Sequence, residues 1–249
     1  MTILGYILAS LIGLFLGLLG GGGSILSVPA LRYIFDYSAY DATAYSLFIV
    51  GVASIIGTAS YIKEKQVDFK VLFTFGLIAS VSAFLNRNYV VPSIPENIFQ
   101  IGGATITRDF LIMMLFAITM FLSAKTMISK KESIIRKESS KTPILFSIVV
   151  GLIVGGFTSL VGAGGGFIIV PVLVKFYRMP IKTAIGTSLS IIMVNSLAGF
   201  SGQALNDSTI DWPFLIKFSC VASLGILIGV YLSNIIPSKT LKPIFGWFI

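Results

Sequence analysis

One feature constrains this chain above all others: half of it is written twice. Residues 13–57 align onto 155–199 without a gap, at a constant offset of 142, with 16 identities in 45 positions. The matches include Gly13/Gly155, Phe15/Phe157, Gly20/Gly162, Gly22/Gly164, Gly23/Gly165, Pro29/Pro171, Ala42/Ala184, Ser46/Ser188, Ser54/Ser196 and Gly57/Gly199. After a one-residue insertion the match resumes, with Val67-Asp68-Phe69 against Ile210-Asp211-Trp212. Shared apolar composition would mimic a faint similarity, but it would not align glycines and prolines without a gap. The chain therefore descends from a duplicated half.

What each half can be follows from its charge. Of 249 residues, 55% are hydrophobic and 11% charged, against about 25% charged in a soluble domain. The apolar residues come in runs at 42–62, 69–85, 110–124, 145–161, 183–204 and 213–235. Crossing the hydrocarbon core takes about 17–25 residues. Most of these runs have that length, and 110–124 reaches it with its flanks. The formal net charge of +8 does not indicate nucleic acid, because the basic residues sit in the short loops between runs, where membrane topology places them. No histidine is present, which excludes imidazole-ligated metals and Ser-His-Asp catalysis. Cys220 is the single cysteine and lies in an apolar run, so no intramolecular disulfide forms and the thiol is expected to be inert. A cleaved signal peptide is not expected, since the first apolar stretch has no basic leader and runs on into glycines.

Each half opens with an apolar stretch too long for one helix, 3–35 and 145–177, interrupted by Gly20-Gly21-Gly22-Gly23-Ser24 and by Gly162-Ala163-Gly164-Gly165-Gly166. A glycine costs about 1 kcal/mol in a helix interior, so consecutive glycines mark a break. Non-helical backbone at membrane depth is tolerated only inside protein or beside a cavity. The second arm, of about twelve residues, reaches roughly 18 Å, too short to span. Charge then chooses the topology. With Lys217, near the outer end of its helix, left out of both counts, the Lys/Arg count if each broken segment crosses once is 9 on the side of the basic loop Lys125–Lys141 against 8 opposite. If each is a hairpin that leaves by the face it entered, the second half inverts and the count becomes 14 against 3, the three being Arg32, Arg87 and Arg108. The positive-inside rule selects the hairpins.

The expected fold class is an all-α polytopic membrane protein of two inverted repeats. Each repeat is a glycine-broken helical hairpin plus three transmembrane helices, the last of them expected to be incomplete. Repeat 1 covers 1–128, with its hairpin at 3–35 and spans at 42–62, 69–85 and 109–128. A cytoplasmic basic linker covers 129–143. Repeat 2 covers 144–249, with its hairpin at 145–177, spans at 183–204 and 213–235, and a partial span at 241–249. Inverted repeats with broken helices are the architecture of many secondary transporters.

In that arrangement the two glycine turns dip in from opposite faces and meet, each at the start of its second arm. A helix N-terminus carries about half a positive charge and unpaired N–H groups, and glycines let a ligand approach them. Two such ends suit a small anion. The expected binding residues are Gly20, Gly21, Gly22, Gly23, Ser24, Gly162, Ala163, Gly164, Gly165 and Gly166, with Pro29 and Pro171 structural. The bland alternative is that the glycines only allow close helix packing. Two matched clusters, each followed by a matched proline, argue against it. Polar groups on the following spans are Tyr45, Ser46, Ser54 and Thr58, then Thr187, Ser188, Ser190, Asn195, Ser196 and Gln203. Of these, Ser46, Thr187, Ser188 and Asn195 join the expected site, although any single hydroxyl in a helix can simply bond its own backbone. Asp41, Asp68, Asp109, Asp207 and Asp211 stand at span ends, which suits caps and loops. No carboxylate lies deep in a run, so neither a proton relay nor a cation carrier has its residue.

These motifs resemble a known family. Gly20-Gly21-Gly22-Gly23-Ser24 followed by Val28-Pro29-Ala30-Leu31, its echo Gly162–Phe167 followed by Val170-Pro171-Val172-Leu173, and Gly186-Thr187-Ser188-Leu189 are similar to the sulfite exporter TauE/SafE family of membrane permeases. The resemblance implies transport of small sulfur-containing anions (sulfite, thiosulfate, sulfoacetate or another organosulfonate) across the cytoplasmic membrane. No cofactor and no metal are expected. The expected partners are a small anionic substrate and the lipid bilayer, with no nucleic acid; the oligomeric state is left open, a homodimer among the choices. An intramembrane enzyme lacks a credible nucleophile. The alternatives that stay open are a carrier of another small anion, such as a carboxylate, and a membrane assembly protein without a substrate.

Overall fold

A computed structural model describes residues 3–101, 104–128, 144–162, 164–205 and 210–248. The 129–143 linker, Ala163 and Asp207 lie outside them. The described residues form ten helices: α1 (Ile3–Leu19), α2 (Gly22–Tyr33), α3 (Ala39–Lys63), α4 (Phe69–Ser93), α5 (Arg108–Ile128), α6 (Ile144–Val161), α7 (Gly166–Lys175), α8 (Ile181–Ala204), α9 (Trp212–Ile235) and α10 (Ser238–Phe248). One antiparallel pair, β1 (Asn97–Ile101) and β2 (Ala104–Thr107), precedes α5. By length and composition α3, α4, α8 and α9 can each cross a bilayer.

Helices α3, α4 and α9 start where acidic or hydroxyl side chains satisfy their first N–H groups, whereas α8 starts at Pro180 without a side-chain cap. Ser38 Oγ accepts from Asp41 N (3.1 Å) at α3, and Asp109 Oδ2 accepts from Ala39 N (3.0 Å) at the same end. Asp68 Oδ1 accepts from Val71 N (3.1 Å) at α4, and its repeat equivalent Asp211 does the same for Phe214 N (3.0 Å) at α9. Asp68 and Asp211 are thus N-caps, and Asp109 serves the start of α3 from a neighbouring helix.

The two halves interlock. Helices α3 and α8 cross the centre antiparallel, Gly51 against Leu197 and Leu47 against Gly199, and both are mostly buried. The first arm of each repeat packs on a helix of the other. On α1, a Cβ at Gly13 would lie 1.9 Å from the Ala222 carbonyl of α9; on α6, a Cβ at Gly155 would lie 2.1 Å from the Ala79 carbonyl of α4. Ala79 and Ala222 are equivalent positions, so this is one contact made twice. Gly17, Gly225 and Gly229 continue the α1–α9 seam, with a Cβ on each falling 2.1–2.4 Å from the facing backbone. Inside a bilayer, water offers no hydrophobic drive between helices, and small residues that let backbones touch supply the cohesion. The lipid-facing side is apolar instead: Phe73, Leu77, Val81 and Leu85 follow one another every fourth residue along α4, and all are exposed.

Both broken segments are hairpins, and they open at opposite faces. Tyr177, just past α7, donates its hydroxyl to Ser147 Oγ at the start of α6 (2.8 Å), so both feet of that hairpin share a face. On that face Asp68 N donates to Thr187 Oγ1 (2.9 Å), joining the α3–α4 loop to the start of α8. We call it face two. At face one, α2 ends beside the start of α9, where Phe35 meets Phe214 (5.1 Å between ring centres) and Asp211 N donates to the Tyr45 hydroxyl (2.9 Å). The first arm α1 runs parallel to α9 and so enters from face one as well. The C-terminal helix α10 lies back along the bundle, with Phe248 stacked on Phe15 at 4.1 Å.

The structure extends one expected span with a chemical consequence. Helix α4 does not stop at Leu85; it passes through a π-type turn at Asn86–Val90 and ends at Ser93. That turn carries Arg87, counted above with the loops, into the protein, where its side chain is fully buried.

Candidate transport site

The hairpin tips are built from the glycines. Gly20 and Gly162 have matching left-handed backbones, φ 69° and 73°, which a residue with a Cβ reaches only at about 1–2 kcal/mol. A Cβ on Gly20 would also sit 2.8 Å from Ile185 Cα, and one on Gly162 would sit 2.1 Å from Thr43 Cβ. Ile185 and Thr43 are repeat equivalents, so each tip presses on the other half's central helix. Gly23 faces Leu16 and Gly165 faces Thr158, again equivalent, each with a would-be Cβ 2.7 Å from the neighbour's own Cβ.

The tips also meet each other. A Cβ on Gly21 would lie 2.3 Å from Gly166 Cα, and one on Gly166 would lie 2.1 Å from Gly21 Cα. Helix α2 has Gly21 as its N-cap and α7 has Gly165, and neither cap has a side-chain hydrogen bond. Two positive helix ends therefore abut in the interior without the side-chain oxygens that cap α3, α4 and α9. Within each second arm Pro29 and Pro171 lack an N–H, so the carbonyls of Ile25 and Phe167 lose their helical partner.

The polar residues divide by whether they have partners. Ser188 Oγ donates to Gly20 O at 2.6 Å and approaches Ile185 O at 2.8 Å; it ties the first tip to α8. Ser46, its repeat equivalent, pairs with Ser27 Oγ at 2.5 Å, while Ser24 Oγ donates to Gly21 O at 2.6 Å. Thr187 is taken up by the face-two loop. Asn195 donates through Nδ2 to Thr158 Oγ1 (2.9 Å) and Gly164 O (3.4 Å).

Ser54 and Ser196 are different. Both are fully buried, and neither Oγ has a hydrogen-bond partner. Ser196 Oγ lies 2.6 Å from where a Cβ on Gly164 would stand, directly against the second tip. Asn195 Oδ1 and Thr58 Oγ1 are also buried without partners. A buried hydroxyl left unpaired is uncommon and calls for a reason. Ser196 thus stands against the second glycine turn with a hydroxyl free to donate, and Ser54 is its repeat equivalent on α3.

Sequence reasoning missed Arg87, Thr43 and Thr158. Arg87 bridges three helices: Nε donates to Gln203 Oε1 (2.6 Å), Nη1 to Ser159 O (3.1 Å), and Nη2 to Tyr40 O and Thr43 Oγ1 (2.8 Å each). A basic residue after an apolar run reads as the end of a span, and nothing local signals that the helix continues. No group of three or more His, Cys, Asp or Glu that would hold a metal occurs among the described residues. In the face-one loop, burial first and then the nearby Asp211 push the Tyr37 hydroxyl up to about 12.

Comparison with known proteins points to a membrane transporter. The family model for the sulfite exporter TauE/SafE matches residues 6–249. A probable membrane transporter protein of Methanocaldococcus jannaschii is 30% identical, covering 95% of this chain and 88% of its own length. Probable membrane transporter proteins of Xylella fastidiosa (28% identical, 96% and 88% covered) and Bacillus subtilis (26% identical, 95% and 91% covered) are similar over comparable stretches. No solved structure matches. A duplicated, inverted, glycine-broken helical bundle matched by that family model from its first helix to its last is a multi-pass membrane transporter, and the chain belongs to the sulfite exporter TauE/SafE family.

Proposed function

We propose that this transporter carries a small sulfur-containing oxyanion, such as sulfite, thiosulfate or an organosulfonate like sulfoacetate, and holds it at the paired hairpin tips. The observation that carries this reading is the meeting of two uncapped helix N-termini beside Ser196, a buried serine whose hydroxyl has no partner. Helix N-termini and free hydroxyls are donors, and donors without acceptors suit an anion. The family name supports the sulfur chemistry. In this state Gly21 and Gly166 touch, so the anion enters as the tips part. With one hairpin opening at each face, parting from either side gives alternating access. Export follows from energetics: an anion leaving a cell that is negative inside gains about 2.3 kcal/mol per charge per 100 mV, and no buried carboxylate stands among the described residues to couple a proton.

The test is flux of sulfite, thiosulfate and sulfoacetate, with acetate for comparison, into liposomes holding the purified protein under an imposed potential. Flux of one sulfur anion, driven by the potential and lost in Ser196→Ala, supports the reading. Flux of acetate alone moves the substrate to carboxylates, and flux of none contradicts the proposal.

A further inference from the structure

The two halves end their first arms differently, and the difference is a charge. In repeat 1 the Gly17 carbonyl, at the end of α1, accepts from the Tyr61 hydroxyl at 3.0 Å. Its equivalent in repeat 2 is the Ser159 carbonyl of α6, and the equivalent of Tyr61 is Gln203. Gln203 does not donate to that carbonyl. Arg87 stands between them, accepted by Gln203 Oε1 on one side and donating to Ser159 O on the other. The position equivalent to Arg87 is Val230, whose backbone N lies 2.9 Å from where a Cβ on Gly17 would stand. One half therefore closes this joint with a neutral phenol and the other with a guanidinium.

That guanidinium is fully buried, and among the described residues its hydrogen-bond partners are all neutral. Tyr40 offers its ring at 5.3 Å, but shares it with Arg108 at 4.5 Å. Among the described residues no carboxylate is hydrogen-bonded to Arg87; the Asp41 carboxylate, one residue from Tyr40, accepts the Ser38 hydroxyl at 2.7 Å instead. A phenol does the same mechanical work in the other half, so bracing alone does not require a charge. The charge also sits close to the tip: Thr43, which it holds, is the residue that Gly162 presses on, and Ser159 adjoins Thr158, the partner of Asn195.

We propose that Arg87 is the fixed positive charge that makes the tip site select anions, supplied by one repeat only and from the face-one side. Arg87 acts through its field rather than by touching the anion. A buried charge with no carboxylate hydrogen-bonded to it is costly in a membrane protein, and ionisable residues inside spans mark substrate and ion pathways. This inference rests on the reading that the tips hold an anion.

The test separates charge from bracing. Gln203→Glu puts a carboxylate on Arg87 Nε, cancelling the charge while keeping an acceptor at that position and the other Arg87 hydrogen bonds. If Arg87 selects anions, this variant folds as well as wild type, yet its apparent KM for the transported anion rises about tenfold or more. Arg87→Gln loses flux to a similar extent per folded molecule, and Arg87→Lys retains most of it. A Gln203→Glu protein with wild-type KM overturns the proposal, as does equal loss in Arg87→Lys and Arg87→Gln. If wild type moves none of the three sulfur anions nor acetate, the transport reading itself fails, and the role of Arg87 fails with it.

Discussion

Two serines on α8 separate structure from function. Ser188 and Ser196 are both fully buried near a hairpin tip. Ser188 Oγ donates to Gly20 O at 2.6 Å, whereas Ser196 Oγ has no partner. In Ser188→Ala the Gly20 carbonyl loses its donor inside the protein, at about 1–3 kcal/mol. In Ser196→Ala no bond is lost, and a desolvated hydroxyl is removed. Stability should be unchanged within about 0.5 kcal/mol or slightly raised. Transport should respond in the opposite sense. A hydroxyl bonded to a charged ligand is worth about 1.5–3 kcal/mol, so Ser196→Ala should weaken anion affinity by roughly ten- to a hundredfold. Thermal unfolding in detergent and KM in liposomes give the two readouts on the same preparations. The reasoning fails if Ser196→Ala unfolds as early as Ser188→Ala, or if it transports with wild-type KM.

The remaining predictions are brief. Gly162→Ala should cost more than 1–2 kcal/mol, since the left-handed φ of 73° and the contact with Thr43 both oppose a Cβ; folded yield read by gel filtration checks it. Tyr61→Phe should lower stability by about 1–3 kcal/mol by leaving the Gly17 carbonyl bare, read as an earlier thermal transition. The raised Tyr37 hydroxyl adds stability that is fully present below its ordinary value of 10.0 and is lost as pH climbs through about 12; Tyr37→Phe should flatten the unfolding temperature across that window. Cys220 is exposed on the outer side of α9, so Cys220→Ala should leave flux unchanged, and a loss would place the thiol in the mechanism.

How much of this was legible in the sequence depends on what the duplication could carry. Aligned glycines marked the breaks, and the lysine and arginine balance distinguished hairpins from single crossings. Those two arguments led to inverted repeats, because both rest on features the halves share or on charge that must stay out of lipid. What the halves do not share was invisible. Ser46 and Ser188 align perfectly, yet Ser46 pairs with Ser27 while Ser188 ties down Gly20; the equivalent of Ser27 is Ile169, which offers no hydroxyl. Tyr61 and Gln203 do not look alike, and only the fold reveals that they meet equivalent carbonyls, one directly and one through Arg87. A serine that binds a tip and a serine left free are the same letter, because the difference lies in the helix opposite.

The most direct test of the central claim, one anion held between the two tips, is protection of paired cysteines. In a Cys220→Ala background, Ser54→Cys and Ser196→Cys are made singly, and the rate of thiol labelling is measured with and without the transported anion. The account predicts that the same anion slows labelling at both positions over the same concentration range. Protection at one position only, or at neither while transport persists, would contradict it.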